Sequence, residues 1–430
     1  MEKKIKGNRA RFGLQIGAIL LVLGLVGAAL GTAVGLRAQQ QAETPASQTY
    51  ESLKLLTEAF YEINTKFVKQ KGETEIVYGA LRGLAASLDP DSSFLTPKEY
   101  KDYQAAAPKT PAEAGMDLVI KDSLPTVIGV LQGGPAWEAG VRPGDHILKI
   151  NGVLAHDLST LEAVRRFQGE AGTALKLQLI RNGMVKPLDL TVTLKPLNLV
   201  SVSSQVLPDG YAYLRVGFFA DNTAQELAET LKELSRRQPP IKGIILDLRN
   251  NARGTVEQAV KVGGALLGDK VIVRTKGRGP ASEQAFSGQA KATLAPSLPL
   301  VALVDGGTAR AAEIIAGALK DNARATTLGV KTFGLCGLTR PLPLDDGSAL
   351  VITVAQCYTP NGQKIPGKGL EPGVPAVKAE GDQEGVPAPV GLAPEQDPWV
   401  KQAVGLLKSG KAKQMAKETG PRQSSVKGLK

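Results

Sequence analysis

Hydrophobic and polar positions divide the chain into stretches of different period. Phe12–Leu36 carries no charge and is interrupted only by Gln15, Thr32 and glycines. That run can span a bilayer and exceeds the apolar part of a typical signal peptide. Arg37–Ser47 is polar and Gln-rich, a spacer. From Ser52 to Leu88 apolar residues recur at three and four (Leu55, Leu56, Ala59, Phe60, Ile63, then Ile76, Ala80, Leu81, Leu84), which predicts helix. Asp89-Pro90 stops one helix and Thr96-Pro97 starts the next. Between Glu113 and Pro196 the period shortens to β-type runs: Leu118–Ile120, Thr126–Val130, His146–Ile150, Leu175–Arg181 and Leu188–Thr193. Asn151-Gly152 is a hairpin signal, and Thr160–Gln168 reads as a helix.

Tyr211–Leu214 opens a larger α/β region. Ala224–Leu234 reads as an amphipathic helix and Ile241–Arg249 as a buried strand. Val301–Val304, another apolar strand, meets a Gly-Gly-Thr turn (Gly306–Thr308), and a helix follows to Leu319. Strand-to-helix turns are where α/β enzymes place nucleophiles and oxyanion donors, because N–H groups at a helix start point outward unsatisfied. Leu338–Leu344 and Ala349–Tyr358 read as a hairpin with Asp346-Gly347 at its tip. Counting back from that tip sets Cys336 opposite Cys357. A cross-strand disulfide is one reading, and two reduced apolar cysteines are another. Cys336 as a nucleophile is a third, with no base nearby in sequence. Glu380–Pro394 is a Pro/Gly-rich linker, Gln396–Leu407 a short final helix, and Lys408–Lys430 a basic segment expected to be disordered.

A chain of 430 residues suggests two to four domains. The net charge of +11 is concentrated at the two ends. Lys3, Lys4, Lys6, Arg9 and Arg11 precede the apolar run, which sets the N-terminus in the cytoplasm and the body outside. A cleaved signal peptide is the competing reading, and either one exports the body. No zinc ligand set, aromatic platform or helix-turn-helix pattern accompanies the basic ends, so they read as solvated tails near anionic lipid, with no nucleic-acid partner. The only histidines are His146 and His156. They exclude a Ser-His-Asp or Cys-His centre built within the region after residue 200 alone, and no metal or cofactor is expected.

Six segments then carry a resemblance. Ala80–Tyr100 is similar to the helical lead-in of the C-terminal processing peptidases, or tail-specific proteases. Gly133–Asp145, running into Pro143-Gly144-Asp145, resembles the matching part of a PDZ domain. Gly307–Glu313 and Thr332–Cys336 resemble that family's Gly-Thr-Ala-Ser-Ala-Ser-Glu and Thr-Phe-Gly-Lys-Gly. Tyr358–Pro372 resembles the loop that closes the protease domain. By this resemblance the nucleophile position is Arg310 and the general-base position is Leu335. Thr339 replaces a Gln and Val330 a Glu. Asn250–Gly254 corresponds to Asn-Asn-Pro-Gly-Gly, so Arg253, Gly254 and Ala311 mark the oxyanion loop. Arg253 replaces a glycine, a costly change if the position needs positive φ, and its side chain is expected to crowd the site. A guanidinium is neither nucleophile nor base, and Leu335 accepts no proton.

The resemblance implies an α/β multidomain protein: an N-terminal membrane helix, a helical lead-in, a β-rich PDZ domain and an α/β tail-specific-protease core. The expected boundaries are 1–11 (basic cytoplasmic tail), 12–36 (anchor or signal), 37–112 (spacer and lead-in) and 113–197 (PDZ). The core follows at 198–375, then 376–395 (linker) and 396–430 (short helix and basic tail). PDZ domains take peptide C-termini by strand addition plus carboxylate capture on backbone amides, here Ala114, Gly115 and Met116 beside Asp117. Glu113 replaces a glycine there and would oppose an incoming carboxylate. The expectation is a single-pass cell-membrane protein with its bulk extracytoplasmic, periplasmic or on the outer face, inactive as a peptidase and binding peptide or protein C-termini. An active homologue or a second copy is a further candidate partner. Arg310 is either a peptide-carboxylate ligand or a surface residue without a partner. The alternative is an active serine-type endopeptidase with a non-standard nucleophile, Thr308, Thr332 or Ser348. A scaffold whose PDZ groove binds nothing is a third reading.

Overall fold

The computed structural model describes residues 45–419, apart from 106–111, 157, 159, 280–281, 291–292, 294 and 378–391. The apolar run Phe12–Leu36 lies outside the described residues, and among the described ones no helix is long and apolar enough to cross a membrane. The chain divides into two compact units, Met1–Val77 and Tyr78–Lys430. The first contains the helix Pro45–Lys66, which starts inside the expected spacer and exposes Leu53, Leu55 and Tyr61. The helix Glu73–Ala86 runs across the boundary.

In the second unit the β-rich part is an antiparallel sheet of Met116–Lys121, Leu124–Val130, His146–Ile150, Ala174–Ile180 and Leu188–Thr193, in that order. Leu118, Val127, Ile147, Leu177, Leu179 and Val192 alternate inward to form its core, with Ala163 from the helix Thr160–Arg166. Ile150 pairs with Val153 across Asn151-Gly152, both at positive φ, as the hairpin signal requires. Lys121 pairs with Leu124 across Asp122-Ser123, also both at positive φ, a tight turn with no glycine to announce it.

The core is a six-stranded sheet ordered Val202–Val206, Ala212–Val216, Ile244–Asp247, Leu300–Val304, Thr326–Gly329 and Val374–Pro375, parallel except for its first pair. Ile244 and Leu246 face one layer, where the helices Thr223–Ser235, Val256–Leu267 and Ala311–Asp321 pack. Ile245, Val301 and Leu303 face the other, under Trp399, Val400, Ala403 and Ala412. Burial on both faces explains why these strands read as continuous apolar runs. The last layer corrects the sequence reading: Lys411–Thr419 is helical, because Ala412 and Ala416 recur at i and i+4 and are buried. A second sheet carries the hairpin Gly337–Pro343 and Ala349–Tyr358. Ser93–Leu95 of the lead-in adds to it beside Ala349–Val351.

Candidate active site

The site grows from the turn after Leu300–Val304. Asp305, fully buried, gathers that turn: its Oδ1 accepts from the Gly307 N–H (3.0 Å) and the Asn250 N–H (2.9 Å) and lies 3.1 Å from the Thr308 hydroxyl oxygen. Burial pushes its carboxyl above the ordinary value. The chain then turns sharply at Arg310, with φ 51° and ψ −118°, before Ala311–Asp321 begins. A non-glycine residue in such a conformation costs about 1–3 kcal/mol and persists only where its surroundings enforce it. Two of those restraints are visible. The Arg310 N–H donates to the Leu335 carbonyl at 2.8 Å. The Arg310 guanidinium donates to the Ala252 carbonyl (3.1 Å) and to Asp91 Oδ1 (2.6 Å). Arg310 is therefore not a surface residue without a partner.

Arg310 and Leu335, far apart in sequence, are thus neighbours. What holds Leu335 there is Glu313, three residues into the same turn-and-helix. Its carboxyl accepts from the Thr332 hydroxyl, the Gly334 N–H (2.8 Å) and the Leu335 N–H (2.9 Å). Burial raises the Glu313 carboxyl to about 7, against hydrogen bonds from Thr332, Leu335 and Gly334 that favour its ionised form. Sequence reading passed over Glu313. Its one signal is a charge amid apolar residues between Ala312 and Ile314. The Leu335 side chain closes a small apolar cluster with Ala252, Ala309 and two residues of the β-rich domain, Val119 and Ile128. A hydrophobic seam between the domains fills the expected base position.

Arg253 does not crowd the centre. It lies outside the left-handed region, and it is Gly254, at φ 130°, that needs to be glycine: a Cβ there would sit 2.4 Å from Phe219 Cβ and 2.9 Å from Ala311 Cβ. The Arg253 side chain turns to the β-rich domain, where Nη1 and Nη2 meet the Glu113 carboxylate (2.9 and 3.2 Å) and Nε meets Asp117 Oδ1 (3.0 Å). Burial disfavours the charge, but Asp117 and Glu113 outweigh it and raise the guanidinium pKa. Glu113, expected to repel a peptide carboxylate, is instead neutralised in this pair. Asn250, at φ 52°, completes the junction by exchanging two side-chain hydrogen bonds with the Val130 backbone (2.7 and 2.9 Å).

In the expected capture loop, the Ala114 N–H is already engaged with the Phe167 carbonyl (2.9 Å), so it is not available to a ligand. Gly115 sits at φ 73°. Among the described residues, Met116–Lys121 pairs only with Leu124–Val130 in its sheet, which leaves its other edge to an added strand. The alternative nucleophiles are all occupied. Thr308 donates to the Leu248 carbonyl, Thr332 to Glu313, and Ser348 to Asp346; all three are buried. Cys336 and Cys357 form a disulfide with Cα atoms 5.5 Å apart, which leaves no free thiol among the described residues. A cavity of about 320 Å³ lies beside Arg310, bounded by Gly254–Glu257, Ala311, Ile314, Cys336–Thr339 and Asp91.

The sequence pattern of peptidase family S41 matches residues 210–376, and that of the PDZ domain matches residues 113–192. Over 352 residues the chain is 32% identical to a carboxy-terminal-processing protease of Bartonella bacilliformis, covering 81% of each chain. It is also 32% identical over 370 residues to a carboxyl-terminal-processing protease of Synechocystis sp., covering 84% of this chain and 85% of the relative. The structure of a photosystem II D1 C-terminal processing protease superposes with a TM-score of 0.62 at 26% identity, over 75% of this chain and 92% of that one.

Proposed function

The chain belongs to the C-terminal processing peptidases of family S41 and carries their PDZ domain, and from that premise we propose that it no longer cleaves peptide bonds and acts by binding protein C-termini. One observation carries this reading: the two positions that the resemblance assigns to nucleophile and base adjoin, Arg310 N–H to Leu335 carbonyl, and are filled by a guanidinium and an isobutyl group. Acyl transfer needs a hydroxyl or thiol and a group that can take its proton. Neither stands at those two positions, and the hydroxyls of Thr308, Thr332 and Ser348 are held elsewhere. The unpaired edge of Met116–Lys121 supports the binding half of the reading, since strand addition is how PDZ domains take a chain terminus.

The body is held at the extracytoplasmic face of the cell membrane by Phe12–Leu36, with the basic residues before it in the cytoplasm. Its partner is the exposed tail of an exported protein, or of an active homologue that this chain presents with substrate. The test is to incubate the full-length chain with an unstructured protein and follow the substrate by mass spectrometry. An intact substrate that is retained on the immobilised chain, and released when its C-terminus is amidated, supports the reading. New C-termini appearing in the digest overturn it.

A further inference from the structure

We propose that the cavity beside Arg310 is a second binding site for a chain terminus, taking the C-terminal carboxylate of a peptide on Arg310, with Asp91 as its internal competitor. This deepens the non-catalytic reading and rests on it. Arg310 and Asp91 both line the cavity, their charged groups 2.6 Å apart, with side chains only 25% and 15% exposed. The protein already seats a carboxylate of its own on this guanidinium. The Ala252 carbonyl fixes the guanidinium's orientation at 3.1 Å, so the cation is aimed before any ligand arrives.

Two further donors belong to residues that line the same space. The N–H groups of Gly254 and Ala311 carry no hydrogen-bond partner among the described residues, and both residues line the cavity. Backbone N–H groups at a strained turn and a helix start stabilise oxygen anions. With a hydroxyl at position 310 they would serve a transient oxyanion. With a guanidinium there, they are matched to a permanent one. Val256, Ile314 and Leu338 supply an apolar wall that suits a small aliphatic terminal residue. Asp91 belongs to the lead-in, next to Ser93–Leu95. While it is paired, Arg310 is neutralised, so a ligand carboxylate binds only as Asp91 withdraws.

The experiment uses the full-length chain and one labelled peptide, Gly-Ser-Gly-Ser-Ala-Val, with a free C-terminal carboxylate or a C-terminal amide. Because the two native cysteines are tied in a disulfide, a single added thiol can carry an environment-sensitive fluorophore. Thr339→Cys reports on the cavity, where Thr339 is exposed at the rim, and Lys121→Cys reports on the open strand edge of the PDZ domain. The expected result is a saturable response at Thr339→Cys to the acid and none to the amide. It should be tightened about tenfold by Asp91→Asn, lost with Arg310→Gln, and partly kept with Arg310→Lys. If only the Lys121→Cys reporter responds, the cavity proposal falls and the PDZ reading stands. If neither responds, both fall. Equal response to acid and amide at Thr339→Cys, or affinities unmoved by Asp91→Asn and Arg310→Gln, also overturns the proposal.

Discussion

Arg253→Ala should loosen the β-rich domain from the protease-like core. Arg253 reaches Glu113 through two nitrogens and Asp117 through a third, with side-chain exposures of 29%, 19% and 11%. Removing one partner of a fully buried ion pair costs about 3–5 kcal/mol, and an exposed pair is worth about 1 kcal/mol or less. A site between those limits, made of three charge-assisted hydrogen bonds, gives about 2 kcal/mol. At 1.36 kcal/mol per tenfold, that is about a thirtyfold rise in the open population of the junction. The Val130 amide is a natural reporter, because it donates to Asn250 Oδ1 across the same junction. Hydrogen exchange measured residue by residue should show Val130 protection falling about thirtyfold. The Ala155 amide, bonded within the β-rich domain to the Leu148 carbonyl, should keep its rate. Unchanged exchange at Val130 would refute the clamp, and equal acceleration at Ala155 would mean that the domain itself had been destabilised.

Two other substitutions test the supports of the site. Glu313 titrates near 7 when folded, against an ordinary value of 4.5. Its proton therefore contributes stability that is fully present below about 4.5 and is lost as pH rises through about 7, of the order of 3 kcal/mol. The urea midpoint should fall between pH 5 and 8 in the parent and flatten in Glu313→Gln; equal slopes would remove Glu313 from that role. Gly254→Ala should lower the melting temperature sharply, by about 3 kcal/mol of stability, because φ 130° and the approach of Phe219 and Ala311 leave no room for a Cβ. A melt within 1 °C or so of the parent would show that the loop relaxes freely.

The parts of this molecule that were legible in its sequence are the ones written in local chemistry. Val301–Val304, the Gly306-Gly307 turn and the helix after it announce themselves by period and punctuation, as does the hairpin around Asp346-Gly347. Their order, with the PDZ segment before them, identified the family. The parts that were missed depend on pairs remote in sequence. Nothing near Arg253 says that its partners lie at Glu113 and Asp117, and nothing near Arg310 points to Asp91. Glu313 looked like one more letter of a motif, although it fastens the loop that carries Leu335. Asp122-Ser123 turns without a glycine, and Lys411–Thr419 is too polar to read as a packed helix until Ala412 and Ala416 meet the sheet.

The most direct measurement compares the full-length chain with its Arg310→Ser/Leu335→Lys double variant on an unstructured protein substrate. Arg310 still adjoins Leu335, position 254 is still glycine, and the Gly254 and Ala311 N–H groups have no partner among the described residues, the kind of donor acyl transfer uses. The parent should leave the substrate intact, and the double variant should cleave it. Cleavage by the parent would contradict the loss of catalysis at this site.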